Sequence, residues 1–318
     1  MSKRTFIILG IIAGLFAVIL FQKYLYFPHV PTVHEWKGEA DEITIKNKNG
    51  TVHITRQDGK WVIGDESFPA DQNTVNSLVK RMNDLSFTVF VSKKDLYERF
   101  NLTDELAVRV TVKGKGQPLR DLLIGKQNQS SDQSYVKYPD KPEVYLAGGG
   151  LASEFNKTAD ALRDKVLLSY PIDTIDAVTI KFAGDKYTVK RESPADKSKD
   201  EDPLKEDKEK PQAAKWVVEG RTGNFDQGKI AEFLNEFGSV TAMFFPSESE
   251  IKSKIASPAS EITLHSKGKE IKLVIYDKYA ADKSRGYVCR SSENPYYAVI
   301  PDFKAEKLQK RISELIIK

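Results

Sequence analysis

Apolar residues recur along the chain in two rhythms, and the order of the rhythms is itself repeated. From Phe6 to Phe21 only Ile, Leu, Phe, Val, Ala and Gly occur, which predicts a helix that is apolar all round. Beyond residue 41 a period of two takes over. Ile43 and Ile45, then Val52 and Ile54, then Val108, Val110 and Val112 alternate with polar neighbours such as Arg109, Thr111 and Lys113, the pattern of half-exposed strands. Lys48-Asn49-Gly50, Asp58-Gly59 and Gly114-Lys115-Gly116 join these strands closely and predict antiparallel hairpins. Between the strand groups Val75, Leu78, Val79, Met82 and Leu85 follow the spacing of one amphipathic helix.

The second half restates the first. Lys60-Trp61-Val62-Ile63-Gly64 returns as Lys215-Trp216-Val217-Val218-Glu219-Gly220, and at the same offset the helical stripe returns as Ile230, Phe233, Leu234, Phe237 and Val240. Asp71 and Asp226 each precede their stripe by one turn, where a carboxylate accepts from free backbone N–H groups. Tyr135-Val136 matches Tyr287-Val288, and Pro142 matches Pro295. Phe155, Ala159 and Leu162 match Leu308, Ile312 and Leu315 as the apolar face of a terminal helix. The strands of the second half are marked by Val178, Ile180 and Phe182, by Tyr187 and Val189, by Ile262 and Leu264, and by Ile271, Leu273 and Ile275, with Lys267-Gly268-Lys269 as the matching turn.

The expected fold is α+β: an N-terminal transmembrane helix followed by two tandem repeats, each an antiparallel sheet with helices covering one face. Residues 1–27 are the cytoplasmic tip and anchor, 28–40 a stalk, 41–168 the first repeat and 169–318 the second. Each repeat is long enough to bury a core of its own. Residues 192–214 form an insert in the second repeat, without aromatic or β-branched residues. It cannot bury enough apolar surface to offset its ordering entropy, so it is expected to be a disordered, solvated extension, with a docking tail as the alternative.

Lys3 and Arg4 precede the apolar run and Lys23 follows it, which orients the expected anchor with its N-terminus in the cytoplasm. A cleaved signal peptide is the rival reading, but Gln22 to Pro28 offers no small-x-small site. The net charge of +4 and the 30% of charged residues are spread along the chain, without the basic stripe that a nucleic-acid surface requires. Cys289 is the only cysteine; it excludes an intramolecular disulfide and a CxxC site and reads as a core thiol.

Searches for chemistry end without a site. His29, His34, His53 and His265 are not spaced as metal ligands, and His34-Glu35 lacks a second histidine four residues on. Gly148-Gly149-Gly150 reads as a strand-to-helix joint, and Ser77 and Lys80 read as solvent-facing. Trp61, Trp216 and the Phe244-Phe245 pair read as core. No catalytic, cofactor-binding or metal-binding residue is assigned, and no cofactor is expected.

With Lys60-Trp61-Val62-Ile63, with Pro69-Ala70-Asp71 opening the helix, and with Tyr97-Glu98-Arg99-Phe100-Asn101-Leu102 before Val108-Arg109-Val110, the chain resembles an uncharacterised domain-of-unknown-function family. Its members are membrane-anchored bacterial envelope proteins associated with gliding-motility-type ABC transporters. The second repeat departs from the pattern: Lys254-Ile255-Ala256-Ser257-Pro258 stands where the first has Phe-Asn-Leu. The resemblance implies a single-pass protein of the bacterial inner membrane with extracytoplasmic domains, and ABC transporter permease or ATPase subunits as partners. The expected function is a non-enzymatic, duplicated interaction module acting as an auxiliary transporter subunit. The alternatives are an anchored binder of cell-envelope polymer or small ligand in the cleft between repeats, and an envelope hydrolase.

Overall fold

A computed structural model of the chain describes residues 3–26, 30–130, 132–192, 215–221, 223–281 and 284–317. It divides into two compact units, Met1–Asp164 and Lys165–Lys318. The insert expected at 192–214 lies outside the described residues except for Glu192, as does His29.

The first unit begins with helix α1 (Lys3–Tyr26) and continues with strands β1 (Glu42–Asn47), β2 (Gly50–Gln57), β3 (Lys60–Ile63) and β4 (Phe68–Pro69). Helix α2 (Gln72–Asn83), β5 (Phe87–Ser92) and the short helix α3 (Tyr97–Phe100) follow. Then come β6 (Val108–Gly114), β7 (Gln117–Gln127), β8 (Gln133–Lys137) and β9 (Val144–Gly148), closed by α4 (Leu151–Phe155) and α5 (Ala159–Leu162). The strands make one nine-stranded sheet in the order β4-β3-β2-β1-β6-β7-β8-β9-β5.

The second unit starts with β10 (Val166–Leu168), β11 (Ala177–Phe182), β12 (Asp185–Arg191) and β13 (Trp216–Val218), followed by α6 (Gln227–Asn235) and β14 (Val240–Thr241). Helix α7 (Glu248–Ile251), β15 (Ser260–Ser266), β16 (Lys269–Ala281), β17 (Ser284–Ser291), β18 (Ala298–Ile300) and α8 (Asp302–Leu308) complete it. Its seven-stranded sheet runs β13-β12-β11-β15-β16-β17-β18, the same winding as the first from β3 to β9. The unit boundary lies before β10 because Val166 and Leu168 pair with Thr241 and Val240.

Two expectations need correction. The fold is mostly sheet, with three sheets among the described residues, rather than α+β with a helical layer. Period-two stretches of β-branched residues supply most of the regular structure, while α3, α5 and α7 are single turns. The terminal helix expected on Phe155, Ala159 and Leu162 is broken at Asn156 (ψ 61), and Thr158 Oγ1 caps a new turn by accepting from Ala161 N–H. Phe155 and Leu162 stay buried across the break, but Ala159 is exposed. In the second unit the same face splits between α8 and a 3₁₀ turn at Ile312–Glu314.

The second correction concerns the N-terminus. Helix α1 forms, but no helix among the described residues is long and apolar enough to cross a membrane, which overturns the transmembrane helix and signal anchor. Its uninterrupted apolar part reaches only about 24 Å at about 1.5 Å per residue, against about 30 Å of hydrocarbon, and Gln22 and Lys23 follow at once.

Each sheet buries one face in a core. In the first unit Ile43, Ile45, Ile54, Val110 and Val112 meet Val75, Leu78 and Met82 of α2; in the second, Val178, Ile180, Leu264 and Leu273 meet Ile230, Phe233 and Leu234 of α6. The hairpins turn on two residues of positive φ: Asp58 (48°) and Gly59 (79°), Lys115 (52°) and Gly116 (75°), Ala183 (52°) and Gly184 (86°), Lys267 (49°) and Gly268 (78°). Their left-handed backbone matches the right-handed twist of the flanking strands.

Candidate functional site

The polar side chains that the two units share bond to backbone. Gln72 Oε1 accepts from Trp61 N–H at 2.7 Å and its Nε2 donates to Trp61 O at 2.9 Å. Gln227 repeats this clamp on Trp216, at 2.8 Å in both directions. Asp71 caps α2 by accepting from Thr74 N–H, and Asp226 caps α6 by accepting from Gly228 and Lys229 N–H. The N–H of Asp71 reaches Leu162 O, and that of Asp226 reaches Leu315 O. Asp41 and Asp176 each accept from a hairpin N–H, of Lys115 and Lys267 respectively. Arg56 and Arg191 lie over the rings of Trp61 and Trp216, at 5.7 and 5.2 Å. Both tryptophans are core residues, 2% and 3% exposed.

One shared contact changes sign. In the first unit Arg81, at the end of α2, pairs with Glu154 of α4 at 3.2 Å. At the matching positions of the second unit Glu236 pairs with Lys307 of α8 at 2.9 Å. An acidic residue at a helix C-terminus meets the negative end of the dipole, so Glu236 needs compensation. Lys304 supplies it, at 2.7 Å from Glu236 Oε2 and 2.7 Å from Glu236 O. Burial alone would raise the Glu236 carboxyl, but the hydrogen bonds and charges of Lys304 and Lys307 outweigh it and hold the group below the ordinary glutamate range.

This pair forms one wall of a cleft of about 590 Å³ in the second unit, floored by Phe233 and Leu315 and edged by Lys229, Glu232, Lys310 and Glu314. The volume lies in the range of small-molecule sites. Lys310 pairs with Glu314 at 3.2 Å, and Glu314 also accepts from Arg311 N–H at 2.8 Å. Burial again opposes ionisation of Glu314, and these contacts hold its carboxyl low. Both glutamates are therefore anchored carboxylates near neutrality, each already paired with lysine and unsuited to donating a proton.

A smaller hollow of about 320 Å³ lies on the outer face of the second sheet, between Lys272, Val274, Arg290, Ser291, Ser292 and Pro295. Val274 stands opposite Arg290 in the β16–β17 register. Arg290 lies 5.2 Å over the Tyr297 ring, which meets Tyr276 edge-on at 5.8 Å.

Residues weighed from sequence fall elsewhere. His53 contacts Thr44 Oγ1 at 3.3 Å on an exposed strand face, and His265 lies in β15. Among the described residues no group of three His, Cys, Asp or Glu could hold a metal ion. Ser77 donates to Asn73 O and Lys80 pairs with Asp84. At the glycine joint, Arg81 donates to Gly148 O at 2.6 Å, and a Cβ on Gly149 (φ 81°) would stand 1.5 Å from that guanidinium. The joint thus receives a cation and not an anion. Cys289 is fully buried, and burial pushes its thiol pKa up. Phe244 packs on Tyr279 at 5.3 Å. Sequence reasoning missed Gln72 and Gln227, although each directly follows its capping aspartate, and it missed the reversed ion pair.

Among known proteins, residues 61–243 match the model of a family described as a domain of unknown function, DUF4340. No curated protein and no solved structure matches the chain.

Proposed function

Because the chain belongs to the DUF4340 family and both of its units spend the same polar side chains on holding backbone, we propose that it is a non-enzymatic interaction module serving as an auxiliary subunit of an ABC-type transporter. The observation that carries this reading is the division of labour between what is duplicated and what is not. Clamps, caps and hairpin anchors recur residue for residue, whereas the outward segments Tyr97–Leu102 and Glu248–Pro258 share neither sequence nor fit. A scaffold kept twice with surfaces that have diverged suits recognition of a partner. The transporter assignment rests on the family resemblance of the Lys60–Ile63, Pro69–Asp71 and Tyr97–Leu102 motifs. The test is to crosslink tagged chain in its own cells, purify it and identify what is attached by mass spectrometry. A stoichiometric permease or ATPase subunit is expected; isolation without any transporter component would contradict the assignment.

The cleft beside Glu236 and Glu314 favours one second reading, a small-ligand site contained within the second unit. A ligand at a hundredfold excess over its Kd would stabilise the fold by about 2.7 kcal/mol. A panel of cationic and zwitterionic small molecules screened by thermal shift checks this, and a gain in Tm that survives Glu232→Gln together with Glu314→Gln would place the ligand elsewhere.

A further inference from the structure

The two units treat the strand that follows their amphipathic helix differently. Val89 of β5 stands opposite Leu146 of β9, and at the matching positions Phe244 bridges Val299, so the two strands are counterparts. In the second unit this strand is closed on its outer side. Val240 and Thr241 pair with Leu168 and Val166 of β10, and the N–H of Ala242 donates to Lys165 O at 2.8 Å. Pro246 then ends the strand, with α7 following at Glu248. A proline and a covering segment are two of the ways in which proteins blunt a sheet edge.

Neither device recurs along β5. Val91 stands where the second unit has Pro246, and the strand runs for six residues, Phe-Thr-Val-Phe-Val-Ser, without a charge. Val30 and Val33, ahead of β1, pack on the core without forming a strand. The strand β5 ends the order of its sheet, and among the described residues no strand pairs with its outer edge. Its inner side is anchored: Phe87 stacks on Tyr145 at 4.8 Å, Phe90 meets the same ring edge-on at 5.9 Å, and Thr88 Oγ1 donates to Leu146 O at 3.1 Å. Unpaired N–H and C=O groups are therefore presented on a fixed support, with Val89 46% exposed among them. Register shifts on either side of Val89 and Phe90 twist β5 against β9, which confines an added ladder to the residues around Val89.

We propose that β5 pairs antiparallel with β5 of a second copy of this chain, about a two-fold axis at Val89, joining the nine-stranded sheets of two copies edge to edge. The ends of the strand favour its own copy as the occupant. Asp84 precedes it and Lys94 follows it, and this axis brings each to the register position of the other across the pair. Lys94 is exposed. Asp84, though paired with Lys80 over one helical turn, keeps 41% of its side chain exposed; so exposed a pair contributes little and leaves room for a second cation. With no charge between the ends, the two-fold sets no like charges opposite one another. Each copy uses this edge once, so the assembly closes at two chains.

The test measures the mass of the full chain by sedimentation velocity, in density-matched mild detergent because α1 is apolar. Two chains are expected for the native sequence. Val89→Lys and Val89→Glu each set like charges across the axis and should weaken the dimer about tenfold or more, while an equimolar mixture of the two restores it through opposite charges. Val89 is exposed, so both variants keep the fold, which circular dichroism checks. By an independent route, Val89→Cys should give a covalent dimer on oxidation, because residues opposite one another on antiparallel strands lie within disulfide reach. Buried Cys289 adds no background, and Leu106→Cys, at another exposed position, should not crosslink. A native chain that stays monomeric up to about 100 µM, a dimer that survives both charged variants, a mixture that fails to recover, or equal crosslinking at the two cysteines overturns the proposal. So does a monomer whose β5 is protected from exchange only when a transporter component is added, which would give the edge to a partner's strand.

Discussion

Gln227 illustrates how a single side chain closes a sheet. Strand β13 is the edge of the second sheet, and an edge leaves backbone groups in need of partners. Gln227 meets the N–H and C=O of Trp216 together. Gln227→Ala is expected to destabilise the fold by about 1–3 kcal/mol, since it strands two partly buried backbone groups; urea unfolding at neutral pH checks it. Ala183 makes the opposite case. It holds φ 52° in a hairpin, a conformation that a residue with Cβ disfavours by about 1–2 kcal/mol and asparagine tolerates better. Ala183→Asn should therefore raise the urea midpoint slightly without changing the slope. At this scale the aspartate caps were legible in sequence, because a carboxylate before an apolar stripe has one common use. The glutamines were not, because an amide can serve many partners and only the folded backbone shows which.

Among elements, the strands and hairpins were readable because their signal is local: period two between glycine turns specifies both structure and neighbour. The terminal helices were not. Apolar positions four and three apart suit a helix, yet a helix broken at Asn156 still buries Phe155 and Leu162, so the spacing did not discriminate. The union of α6 and α8 rests on an ion pair whose sign differs from that of α2 and α4, and its energetics are testable by pH. The Glu236 carboxyl is held below its ordinary range in the folded protein. The folded state therefore binds its proton less readily than the unfolded chain, so the contribution is present above the unfolded glutamate pKa of about 4.3 and is lost as pH falls through the folded value. Glu236→Gln should lower stability at pH 7, with the difference from wild type shrinking below about pH 4; paired urea titrations at pH 7 and pH 3 would show it. A deficit that persists unchanged in acid would mean that the carboxylate charge is not what joins these helices.

For the whole molecule, repetition carried more information than any motif. Matching positions such as Asp71 and Asp226, or Arg81 and Glu236, let each unit serve as the other's reference, which is how the reversed ion pair becomes visible. The N-terminal reading failed for a reason of length: composition alone suggested a span, but the uninterrupted apolar run stops short. Function was least legible, since the side chains with the most regular pattern hold backbone and the surfaces that differ carry no catalytic signature.

On the function proposed above, duplicated contacts make the scaffold and diverged surfaces meet the partner. Hydrogen–deuterium exchange of the full chain, with and without the partner recovered by crosslinking, separates the two roles. Protection is expected in peptides covering Tyr97–Leu102 or Glu248–Pro258, with no change around the Trp61–Gln72 and Trp216–Gln227 clamps. Protection concentrated on those clamps, or no protection at any surface, would contradict it.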